Sequence, residues 1–182
     1  MLMVVLSTLS PDMSLLNWLG VWLLGSIVLA TVSEAAPLSL GLDKAQLERR
    51  IPAYLAVLPS CKALMLGAPH PMKDEAGWVY SARGASSFDM SVETTGEQLT
   101  RITVKAAAPV SDAVLRDVRC MTYALLRAVE PKYSVSHLAL STSKQLWRRA
   151  QSEPYSQLYF FTAFEVRLAP VQLVVQRQSG SE

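Results

Sequence analysis

Between residues 78 and 105 apolar side chains recur at every second position, and no other feature restricts the fold as much. Trp78, Tyr80 and Ala82 alternate with other residues, then Phe88, Met90 and Val92, then Thr100, Ile102 and Val104, the period of a strand with one buried face. Three antiparallel strands follow, joined by turns at residues 84–87 and 94–98, the second holding Gly96 for a positive φ angle. Asp89, Ser91 and Glu93 on the middle strand then face Arg101, Thr103 and Lys105 on the next, and acid opposite base supports that pairing. A sheet apolar on one side and solvated on the other needs a cover of helices.

The cover is visible on both sides of the strands. Asp43-Lys-Ala-Gln46 has the spacing of a capping box, and Leu47, Ile51, Tyr54, Leu55 and Leu58 follow on one helical face. A helix over 44–57 is expected, kinked or restarted at Pro52 and ended by Pro59. Residues 60–66 read as a last turn or a short strand, and 67–75, with three prolines and glycines in close order and then charges, as a loop. Ser111 opens a long helix whose stripe of Val114, Val118, Met121, Leu125 and Val129 runs up to Pro131. Residues 133–140 read as a short strand or extended linker, which puts His137 in a strand. Thr142-Ser-Lys-Gln145 reads as a second capping box, opening a short helix to about residue 151. Two closing strands, 155–167 and 171–176, flank Ala169-Pro170. The expected fold class is α+β: an antiparallel sheet of about five strands with two or three helices packed on one face, preceded by an N-terminal apolar helix. One domain spans 36–178, with a frayed tail at 179–182 and no internal repeat.

Residues 15–32 form a run of 18 without a charge, about 27 Å long as a helix against a hydrocarbon layer of roughly 30 Å. Ser33-Glu34-Ala35 places small residues where a signal peptidase reads, so residues 1–35 are expected to be a signal peptide cut after Ala35, or a signal anchor if the run is kept. No Lys or Arg precedes the run. A start at Met13 would make 1–12 an upstream extension. The domain is therefore expected to be exported, periplasmic or secreted, and membrane-anchored if residues 15–32 are retained. No cysteine stands at the cleavage point to accept a lipid.

Both cysteines, Cys61 and Cys120, lie beyond the leader, and an oxidising compartment pairs such thiols. On a helix turning about 100° per residue, Cys120 lies about 200° from Val118, off the stripe that faces the sheet. Its cover is the segment after the first helix, which carries Cys61. A Cys61–Cys120 disulfide is expected, worth about 4 kcal/mol from loop closure.

Chemistry is harder to find. Lys and Arg total 17 against 15 Asp and Glu, for a net charge of +2, which supplies no force toward nucleic acid. The 51% hydrophobic and 18% charged content excludes a disordered chain. No Gly-rich loop exists to cradle a phosphate. His70, Asp74 and Glu75 share one loop without zinc-site spacing, Ser86-Ser87 and Ser141-Thr-Ser143 read as turns and caps, and no G-x-S-x-G surrounds them. No cofactor, metal or catalytic residue is expected. The one surface candidate is a basic-aromatic cluster of Lys144, Trp147, Arg148 and Arg149, suited to an acidic partner or an anionic lipid surface. The expected function is non-catalytic binding to another protein of the cell envelope. The alternative is a carrier or sensor of a small apolar molecule held among Trp78, Phe88, Met90, Ile102 and Met121. A hydrolase would require His70 or His137 to meet Cys61, Asp74 or a serine in space.

Overall fold

A computed structural model describes residues 37–84, 86–106, 109–130, 133 and 135–178. The apolar run at 15–32, the cleavage point after Ala35 and the tail at 179–182 lie outside the described residues. Three helices and seven strands follow in the order α1 (Lys44–Val57), β1 (Met65–Pro71), β2 (Gly77–Arg83), β3 (Ser87–Thr95), β4 (Gln98–Ala106), α2 (Asp112–Val129), α3 (Ser136–Arg149), β5 (Tyr155–Tyr159), β6 (Thr162–Leu168) and β7 (Val171–Arg177). All strand pairs are antiparallel, in the spatial order β1-β2-β3-β4-β7-β6-β5. The class is α+β as expected, but with seven strands where about five were expected.

The central strands pair in the register that the alternation requires. Trp78, Tyr80 and Ala82 stand opposite Val92, Met90 and Phe88, and Met90 and Val92 opposite Val104 and Ile102. This face is buried with the helices in one core. On the open face Asp89 pairs with Lys105, Ser91 with Thr103 and Glu93 with Arg101, the last a loose ion pair at 3.9 Å. Gly96 adopts φ +60°, as its turn demands.

Asp43 caps α1 through a complete capping box: its carboxylate accepts from the Gln46 amide at 2.7 Å, and the Gln46 side chain accepts from the Asp43 amide. Pro52 sits inside α1 without ending it. Helix α2 is the central helix, packed between α1 and α3, and so buries more than a single stripe, including Cys120, Tyr123 and Ala124. Arg127 of α2 lies over the Tyr54 ring of α1 at 4.4 Å, and the Arg50 guanidinium donates to the Ala128 carbonyl at 3.1 Å. Cys61 and Cys120 are bonded, with Cα atoms 5.5 Å apart, and both are buried.

A buried carboxylate ties α2 to the β2–β3 turn. Asp117, 4% exposed, accepts from the Ser86 amide at 2.7 Å and the Ser86 hydroxyl at 3.0 Å. Hydrogen bonds to a charged group are each worth about 1.5–3 kcal/mol. Asp117→Ala is expected to lower the unfolding free energy by about 2–3 kcal/mol, readable as a shift of the denaturant midpoint. An unchanged midpoint would show that the turn holds itself.

Four expectations fail for physical reasons. Residues 67–71, read as loop, belong to edge strand β1, because prolines that interrupt a central strand are tolerated at an edge. Residues 136–140, read as strand or linker, are the first turns of α3, so His137 is helical. Thr142 and Ser143, read as cap residues, are buried inside α3: the Ser143 hydroxyl donates to the Arg119 carbonyl of α2 at 2.7 Å. The long run 155–167, read as one strand, folds back on itself at residues 160–161 into β5 and β6.

Candidate binding surfaces

The basic-aromatic cluster does not survive as a unit. Lys144, Arg148 and Arg149 are exposed, but Trp147 is 1% exposed and belongs to the core. Its indole N–H donates to the Thr122 hydroxyl at 2.9 Å, and that hydroxyl donates to the Val118 carbonyl at 2.7 Å. The reason lies in the spacing of α3: Ala139, Thr142, Ser143, Leu146 and Trp147, with Ala150 at the C-cap, are buried, an i, i+3, i+4, i+7, i+8 stripe against α2. Arg149 turns instead to β5, stacking over the Tyr155 ring at 5.3 Å and donating to its hydroxyl, which donates to Gln157.

The residues considered for catalysis are also dispersed. Cys61 is consumed in the disulfide. His70 is exposed on β1 and His137 exposed on α3. Ser141 and Lys144 have the S-x-x-K spacing of a serine–lysine acylation motif, which the cap reading of this segment overlooked. Ser141 is solvent-exposed on the helix, with its hydroxyl donated to the Leu138 carbonyl at 3.0 Å. Among the described residues no group of three or more His, Cys, Asp or Glu could hold a metal ion. Phe88, Met90, Ile102 and Met121 belong to the one buried core, with Trp78 partly buried against it. An open groove of about 300 Å³ lies elsewhere, between α1 and β1, beside Pro52, Leu66, Gly67 and Tyr80.

Tyr80 is the buried wall of that groove, and its hydroxyl donates to the Glu48 carboxylate at 3.0 Å. Burial first, then the Glu48 hydrogen bond and charge, push its pKa far above the ordinary tyrosine range. At the far side of the sheet Tyr159 stacks edge-on against Tyr133 at 5.5 Å and Phe164 at 5.7 Å, and burial raises its pKa too. Both phenols hold their protons more tightly folded than unfolded. The native state therefore binds more protons above the unfolded tyrosine pKa of about 10, and stability falls as pH rises past it. The unfolding midpoint is expected to hold between neutrality and about pH 9.5 and then drop steeply. The drop should be smaller in Tyr80→Phe at matched stability.

The two edges of the sheet differ in kind. β1 carries Pro69 and Pro71, which have no N–H to offer, and a bulge between Leu66 and Pro69. Gly67 lies in that bulge, where a Cβ would come within 3.0 Å of the Ser81 carbonyl oxygen. β5, Tyr-Ser-Gln-Leu-Tyr, contains no proline, no charge and no bulge, and among the described residues pairs only with β6. Ser156 and Leu158 are exposed on it, Leu158 at 49%. The hairpin that follows exposes Phe160 at 61% and Phe161 at 53%, and Phe160 holds a left-handed φ of +52°.

No protein-family model matches this chain, and neither curated proteins nor solved structures provide a match.

Proposed function

We propose that the chain is an exported cell-envelope domain that acts without catalysis, by binding an extended segment of another envelope protein along β5. The contrast between the edges carries this reading. An exposed, uncharged strand edge is a template for a further strand, and this sheet blunts one edge with two prolines and a bulge while β5 has none of these devices. Main-chain hydrogen bonds would supply affinity there, and side chains flanking Ser156 and Leu158 the selectivity. Export is supported by the uncharged run at 15–32 before Ser33-Glu34-Ala35 and by the Cys61–Cys120 bond, which suits an oxidising compartment.

Photo-crosslinking in the native host tests it. A crosslinking side chain at 156 or 158 of the full chain is expected to yield a discrete protein adduct, and one at 70, on the blunted edge, none. Ser156→Lys should remove the adduct formed through 158 without lowering the melting temperature, since an edge lysine discourages strand addition. Equal adducts at 70 and 156 would overturn the reading, as would turnover of ester or peptide substrates by the purified chain.

A further inference from the structure

We infer that the end of the sheet bearing Leu38, Phe160 and Phe161 rests on a lipid surface. Hydrogen bonds gather these residues. The Leu40 amide donates to the Leu99 carbonyl at 2.7 Å, the Arg177 guanidinium to the Ser39 carbonyl at 3.1 Å and the Gln178 amide to the Phe161 carbonyl at 2.8 Å. The entry of the chain, the end of β7 and the β5–β6 turn thus share one end of the sheet. Tyr133, stacked on Tyr159, brings the start of α3 to the same end, where Val135 and Leu138 are exposed at 48% and 41%. Leu38 is exposed at 44%. Of the four other large exposed apolar residues, Leu158 lies on β5 and Val57, Met65 and Val110 lie elsewhere.

Two observations select lipid as the occupant. The uncharged run ends at Val32, five residues before Pro37, and five residues of extended chain reach at most about 18 Å. A bilayer that held the run would therefore be tethered to the described chain at Pro37, next to Leu38. The second is the turn itself. A two-residue hairpin turn with positive φ favours Gly, Asn or Asp, yet the left-handed position is Phe160, followed by Phe161. A choice that works against local backbone preference marks a functional position, and leucine and phenylalanine projecting from a folded surface are the chemistry of interfacial insertion. The inference rests on the export reading with residues 15–32 retained, and leaves the β5 edge open to a protein.

The test uses the full chain in vesicles of mixed zwitterionic and anionic phospholipid, carrying an environment-sensitive fluorophore at Phe160→Cys or, as control, at Met65→Cys. The chain is expected to float with the vesicles. Nitroxide-bearing lipids should abolish most of the emission at 160 and leave that at 65 as it is in buffer. Phe160→Asn with a label at Phe161→Cys should keep the melting temperature and lose most of the quenching, because asparagine suits the left-handed turn and removes the apolar side chain. A chain that floats with 160 unquenched overturns the inference while sparing the anchor. A chain that does not float overturns both. Shielding at 160 that appears only after envelope protein is added assigns this end to a protein and also overturns it. None of these outcomes depends on the crosslinks at 156 and 158.

Discussion

Replacing Cys61 and Cys120 together by alanine is expected to lower the unfolding free energy by about 4 kcal/mol and the melting temperature by roughly 10 °C or more. The bridge closes 59 residues of chain, a loop that includes the first half of α2 and the whole β1–β4 meander. Freed from that closure, the unfolded chain gains entropy that the native state cannot match. The native side adds little to the loss, because Leu47, Ile51 and Leu55 already hold α1 in the core. The variant should consequently keep its circular dichroism at low temperature and unfold earlier. Reductant applied to the wild-type chain should reproduce the shift, though slowly, since Cys61 is 1% and Cys120 4% exposed. A double variant that melts with the wild type would mean that the α1–α2 seam is closed by packing alone.

Trp147→Ala is expected to cost about 3–5 kcal/mol, the range for deleting a large aromatic from a packed interior. Trp147 is a fully buried large side chain and fills the seam between α3 and α2 beside Thr122. Trp147→Phe keeps most of the volume and loses one hydrogen bond, for about 1 kcal/mol. Lys144→Ala and Arg148→Ala, at exposed positions on the same helix, should stay within about 0.5 kcal/mol. If Trp147 instead worked as a surface contact in the basic cluster, the order would reverse: alanine at 147 would leave the melting temperature unchanged and weaken binding. Equilibrium denaturation of the four variants decides between the two.

Legibility in the sequence followed how local the determining interaction was. The capping box at Asp43 and Gln46 and the alternation through β2, β3 and β4 act over a few residues, and they located α1 and the register of Asp89 with Lys105. The disulfide was legible because the position of Cys120 on α2 and the need to cover it are both helical geometry. β1 was not, because Pro69 and Pro71 forbid a central strand and only the finished sheet reveals an edge. Nor was the β5–β6 turn, whose two phenylalanines carry none of the usual turn chemistry. The start of α3 has no side-chain cap at Val135, so contact with α2 decides it. Its buried stripe could have been found from Ala139 to Ala150, but Thr142 and Ser143 within it resemble a cap. That misreading placed Trp147 on the surface. The β5 edge needed the strand order, which no local pattern contains.

Alkylating the protein in intact cells before lysis, then measuring its intact mass with and without prior reduction, tests export and oxidation together. An exported chain is expected to take up no alkyl group directly and two after reduction, one at Cys61 and one at Cys120. Two groups added without reductant, on a chain recovered from the cytosol, would contradict the compartment, and with it both the envelope partner at β5 and the lipid surface at Phe160.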